Sequence, residues 1–139
     1  MVSLCFTSFL FSTTVLHAYY AGNLFYHHLM LAVTLLSIAF HHSVNATVDQ
    51  LQGYFKYLAL VDKITAHAAF CLLSWDIAVM IYKNAYTVWL LIFPYTIAMI
   101  WFLECSPFYK HLNQPLHTIL HVVSVCSVHW LIYMKTSGY

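Results

Sequence analysis

The chain has 139 residues, of which 63% are apolar and only 6% charged, with a mean hydropathy of +0.77. That composition excludes an ordinary soluble domain. All five basic residues are lysines, set against four acids, so there is neither a basic patch for nucleic acid nor a polybasic tail for a lipid surface. Ten histidines are the compositional outlier. The expectation is a small multi-pass integral membrane protein in which some histidines do chemistry.

In chain order, residues 2–20 are apolar with Ser and Thr interspersed and His17 near the end. They lack the cationic start of a signal peptide, so they are read as a retained first helix. Ala21-Gly22-Asn23 is a tight break, and a second span covers residues 25–42. Residues 43–53 are the longest polar interval and read as a loop. A third span, 54–82, carries Asp62, Lys63 and His67 in its first half and Asp76 near its end. Its 29 residues would make roughly 43 Å of helix, longer than a bilayer core, so its ends project or it tilts. Lys83-Asn84 closes it. Residues 86–103 form a fourth span that Pro94 should kink. A short polar link, 104–115, precedes a fifth span at 116–134. The whole is one domain, an all-α transmembrane bundle of about five helices. Cys5, Cys71, Cys105 and Cys126 show no CxxC spacing and read as small buried hydrophobes.

Helix direction turns this list into a site. Span 2 leaves the membrane just after His41, and span 3 re-enters just before Asp62. Span 5 runs parallel to span 3, with His117 and His121 in its first turns. The three groups therefore lie at similar depth on one side of the membrane. His117 and His121 are i and i+4, stacked on one helix face as two imidazoles reaching one ion must be. Ser37 and His41 share a face for the same reason, whereas His42 points about 100° away. Ionisable groups within such spans are costly and face a bundle interior or a cavity. Three histidines with an open position make a catalytic zinc site, whose bound water has a pKa near 7. Asp62 would orient or deprotonate that water, and Ser37 would donate to an oxyanion. The remaining histidines at 17, 27, 28, 67, 111 and 129 read as helix-packing hydrogen bonders. Asp76, some 21 Å further along its helix than Asp62, belongs near the opposite interface.

The ordered set Ser37-x-x-x-His41, Asp62 and His117-x-x-x-His121 resembles the CREST superfamily of membrane hydrolases and receptors. That group holds the alkaline ceramidases, the PAQR (adiponectin and progestin) receptors and the GPI-lipid remodelling proteins. The resemblance covers about residues 31–69 and 116–134. It implies a zinc held by His41, His117 and His121, with Asp62 and Ser37 beside the water, and hydrolysis of a lipid amide or ester. Those proteins have seven helices where five are expected here. Removing two between the third and the last would keep the direction of the last helix, at the expense of part of the substrate tunnel wall. Other classes considered are a zinc-pinned receptor or channel without catalysis, a di-iron oxidoreductase and a bis-histidine haem protein. The di-iron class requires about eight histidines in repeated clusters, which the sequence lacks.

Overall fold

The computed structural model describes residues 3–45 and 52–138, the side chains of residues 3, 5, 42–45 and 52–56 excepted. These residues are almost wholly helical, and no strand occurs among them. Five α-helices follow in order: α1 Ser3–Tyr20, α2 Leu24–Asn45, α3 Gln52–Lys83, α4 Ile92–Cys105 and α5 Asn113–Thr136. An all-α bundle is the arrangement this composition demands, because a helix satisfies its own backbone wherever water is absent. Among the described residues four stretches are long and apolar enough to cross a membrane: Leu24–His41, Tyr57–Lys83, Ala85–Cys105 and Pro107–Thr136. α1, rich in Ser and Thr, is not among these four, the beginning of the chain lying outside the described residues. Its hydroxyls turn back onto their own helix or onto neighbouring helices, as described below.

The breaks have local causes. Gly22 has φ +71°, a left-handed conformation that a side chain resists, and it ends α1. The Asn23 amide then donates to the Ala18 carbonyl at 2.9 Å. The Asn23 side chain accepts from the Tyr26 amide at 3.1 Å and so starts α2. The fourth span differs from expectation. Its first part, Ala85–Leu91, is 3-10 helix, and α4 begins only at Ile92. Pro94 therefore occupies the first turn of α4, where its missing N–H costs no hydrogen bond, and does not kink a longer helix. The link before α5 is also largely ordered, with 3-10 helix at Pro107–Leu112. Pro115 likewise falls in the first turn of α5.

α1 packs against α2 and α5, α2 against α3, and α4 against α5, while α3 touches α4 and α5 only sparsely. Two apolar clusters result. The larger joins Phe11, Val15, Tyr26, Met30, Leu73, Ile77, Val128, Leu131 and Ile132; the smaller joins Ile97, Ile100 and Leu120. Where α3 stands off from α4 and α5, a cavity of about 630 Å³ remains. The outward faces are strongly apolar, with Phe6, Phe9, Leu16, Leu35, Ile64, Ile92, Phe102 and Ile119 exposed. Tyr19, Tyr20, Tyr82, Tyr86 and Trp89 are exposed around one end of the bundle, the placement of an aromatic interfacial belt.

The cysteines depart from the reading given above. Cys71, Cys105 and Cys126 are free thiols on exposed positions rather than buried fillers. In an apolar surround an exposed thiol costs as little as a buried one, so hydropathy alone does not separate the two placements.

Candidate metal centre

His41, His117 and His121 converge. Ring centroids are 5.4 Å apart for His41–His117, 5.4 Å for His41–His121 and 4.7 Å for His117–His121. One nitrogen from each lies within 4.8 Å of the others. His41 comes from the last turns of α2, and the other two are one helical turn apart at the start of α5. His41 and His117 thus meet from two helices although they stand 76 positions apart in the chain.

The hydrogen bonds around the rings decide which nitrogens face inward. Thr7 Oγ1 donates to the Leu4 carbonyl at 3.1 Å and lies 2.9 Å from His121 Nδ1. Its one hydrogen being spent on Leu4, Thr7 accepts from His121 Nδ1–H, which leaves Nε2 as the bare nitrogen. His117 Nδ1 lies 2.9 Å from Glu104 Oε1, and a carboxylate oxygen accepts, so here too Nε2 is bare. His41 supplies the most informative atom. Its Nε2 is buried and has no hydrogen-bond partner among the described residues. Leaving such a nitrogen unsatisfied costs about 1–3 kcal/mol, and a Lewis acid between the three rings would remove that cost. The three nitrogens therefore fit one ion, their spread being one that small rotations close to the Zn–N distance of about 2.0–2.1 Å. The outer partners Thr7 and Glu104 match the pattern in which a ligating histidine donates its other N–H to an oxygen.

Ser37 and Asp62 line the same cavity as the three histidines. Asp62 is half-buried and lies outside the compact three-histidine group. Neither ion pair found among the described residues involves it. Ser37 Oγ is 2.8 Å from Ser8 Oγ, and Ser8 donates to the Leu4 carbonyl at 2.8 Å. The Ser37 hydrogen therefore points to Ser8, and Ser37 would have to turn from α1 to donate elsewhere. His42 sits on α2, but its side chain lies outside the described residues.

The other described histidines, His111 excepted, have partners of their own. His67 bonds the Lys63 carbonyl at 2.7 Å and stacks on Trp101 with centroids 4.5 Å apart. His27 bonds the Val15 carbonyl at 3.1 Å, and His28 bonds the Leu24 carbonyl at 2.7 Å. Thr13 donates to the Leu10 carbonyl at 2.6 Å and so accepts from His129 Nε2–H at 2.9 Å. His129 Nδ1, then bare, accepts from His17 Nδ1–H at 2.8 Å. His111 is exposed. Asp76 belongs to the far end, where its Oδ2 accepts from Tyr26 Oη at 2.6 Å and from Lys135 Nζ at 2.6 Å.

Sequence reasoning missed Thr7, Ser8 and Glu104. Thr7 and Ser8 have no spacing relation to the motif, since α1 is brought beside it only by packing. The one glutamate in the chain, adjacent to an apolar span, was a usable signal, because such an acid needs a partner. No protein-family model, no curated protein and no solved structure matches this chain.

Proposed function

We propose that the chain is a multi-pass membrane protein of the CREST type whose three-histidine centre holds zinc and hydrolyses an amide or ester bond of a lipid. The observation that carries this is the partnerless, buried Nε2 of His41 facing two imidazoles whose outer nitrogens are already committed. Helix packing alone explains an imidazole with partners, as at His67 and His28; it does not explain three turned toward one another. Of the remaining histidines with described side chains, all but the exposed His111 are hydrogen-bonded elsewhere, which favours one ion over a di-iron pair. His67, a candidate haem ligand, is held by Lys63 and Trp101.

Zinc bound here would supply an acidified water and polarise a carbonyl. The protein's own groups would do the rest. Glu104 and Thr7 hold the His117 and His121 rings in the tautomer that leaves Nε2 free. Asp62 takes the proton of the attacking water and returns it to the departing amine or alkoxide, so that a fatty acid and an amine or alcohol leave. Ser37, released from Ser8, donates to the oxygen of the tetrahedral intermediate. The apolar lower part of the cavity takes the hydrocarbon and keeps bulk water out. Lipid is the substrate class because the histidines, Asp62, Lys63 and Glu104 gather toward one end of a cavity whose deeper part is lined mainly by apolar side chains such as Met30, Val33, Phe70 and Leu73.

The test is metal content and lipid turnover of detergent-purified protein. The expected result is one zinc per chain, together with fatty-acid release from an N-acyl or O-acyl lipid. Zinc without release across both lipid classes would replace the enzyme by a zinc-pinned receptor or channel. Absence of any bound metal would overturn the centre itself.

A further inference from the structure

The cavity has a closed floor, and that floor has an unusual fixture. The lining of α2 runs from His41 back to Tyr26, and that of α5, from the histidines inward, runs from His117 to Val128. At a rise of 1.5 Å per residue these stripes measure roughly 22 Å and 16 Å. Just beyond them the interior is packed shut: Ile77 is 1% exposed, Leu131 1% and Ile132 0%. Tyr26 itself is 0% exposed. Its hydroxyl donates to Asp76 at 2.6 Å, and Asp76 is held in turn by Lys135 at 2.6 Å. A cavity floor made only of aliphatic side chains could yield to a longer ligand by changing rotamers. A tyrosine tied by its tip to an ion pair at the bundle end cannot withdraw without breaking that bond.

We infer that Tyr26, pinned by Asp76 and Lys135, is a chain-length stop, so that the site accepts a single linear acyl chain of limited length with its carbonyl at the histidines. The identity of the polar end rests on the hydrolase reading; the stop itself rests only on the cavity. An extended saturated chain advances roughly 1.25 Å per carbon from tetrahedral geometry. The 16–22 Å between the histidines and the floor thus accommodates about 13–17 carbons. A cavity of about 630 Å³ suits one such chain. Among the described residues the far end offers no charged group free for a second headgroup: the Tyr26 hydroxyl is already bonded to Asp76, and the nearest other polar side chain of the lining is that of Ser124.

The test is displacement of a fluorescent fatty acid from the purified full chain by saturated fatty acids of increasing length. Affinity is expected to rise about fourfold per added methylene, then to stop rising near about 16 carbons, where the stripe length ends. Tyr26→Ala should move that limit up by several carbons. Val128→Phe, which fills the floor instead of opening it, should move it down, and it keeps the test open if Tyr26→Ala does not fold. Tyr26→Phe keeps the ring but loses the tie to Asp76, so its limit should soften, with the longest chains gaining affinity relative to wild type. An identical length profile in wild type, Val128→Phe and any folded Tyr26 variant would overturn the stop, as would absence of fatty-acid binding by folded wild-type protein. The same measurement on His117→Ala, which should lack metal, separates the two readings. A length limit that persists there shows that the stop does not depend on the metal, and a wild type that keeps the limit but releases no fatty acid from lipid retains the stop while the hydrolase reading fails.

Discussion

An imidazole with one hydrogen has one donor and one acceptor, so the partner of its outer nitrogen determines what its inner nitrogen can do. At His121 that partner is Thr7 and at His117 it is Glu104. Thr7→Val removes the acceptor and keeps the shape, freeing the tautomer of His121. Zinc affinity is expected to fall about 10–100-fold, as for other outer-shell losses, when titrated with a competing chelator. Glu104→Gln should lose less than Glu104→Ala, because the amide oxygen still accepts from Nδ1–H. Equal losses in the two would show that Glu104 acts by bulk alone. His41→Ala and His117→Ala should each lose most of the metal by elemental analysis. Asp62→Asn should keep the metal but lose at least about 10²-fold in turnover, because an amide hydrogen-bonds to a water without accepting its proton. Wild-type turnover in Asp62→Asn would return Asp62 to a structural role.

At the scale of the element, two ends are set by single residues. Gly22 turns the chain from α1 into α2 with φ +71°, and open space surrounds the position where a Cβ would stand. Gly22→Ala therefore pays only the backbone penalty for a left-handed residue, about 1–2 kcal/mol, measurable as a lowered midpoint in detergent unfolding. No change would mean that the α1–α2 turn relaxes freely. α3 and α5 are joined at their far ends by Asp76 and Lys135, which lie beside the Tyr26 ring with Lys135 Nζ 5.1 Å from its centroid. Asp76→Ala leaves a buried hydroxyl and a partly covered ammonium without their acceptor. A loss of about 1–3 kcal/mol is expected in the same unfolding assay.

For the whole molecule, the arrangement of odd-numbered helices matters most. α1, α3 and α5 all begin at the histidine end and finish at the Tyr20, Lys83 and Lys135 end. In a membrane this places Gln114 and Lys83 on opposite faces. With the native cysteines removed, a cysteine at Gln114 and one at Lys83 should react with an impermeant thiol reagent from opposite sides of sealed vesicles. Labelling of both from one side would show that the bundle does not cross as a unit. The exposed apolar side chains around the bundle, far beyond what a water-soluble monomer carries, support the same arrangement.

How much of this was legible in the sequence follows from the range of each interaction. Hydropathy over about twenty residues is a local property, so the helices, their order and the turn at Gly22 could be read directly. Helical spacing placed His117 over His121 and Ser37 over His41, and the parity of the spans placed His41, Asp62 and the pair at one depth. The local conformation of the fourth span was less accessible, because Pro94 ends a 3-10 segment or kinks an α-helix equally well until its neighbours pack. Only the tertiary structure decided the outer partners of the rings. Thr7 meets His121 across 114 residues, and Glu104 meets His117 across the turn between α4 and α5. It also showed that the Ser37 hydrogen is spent on Ser8, that Asp62 stands beside the three histidines rather than among them, and that Cys71, Cys105 and Cys126 are exposed. Periodicity says which face of a helix a residue occupies; which neighbour covers that face is set by packing the remaining helices, and that is where the tautomers and the cavity floor are determined.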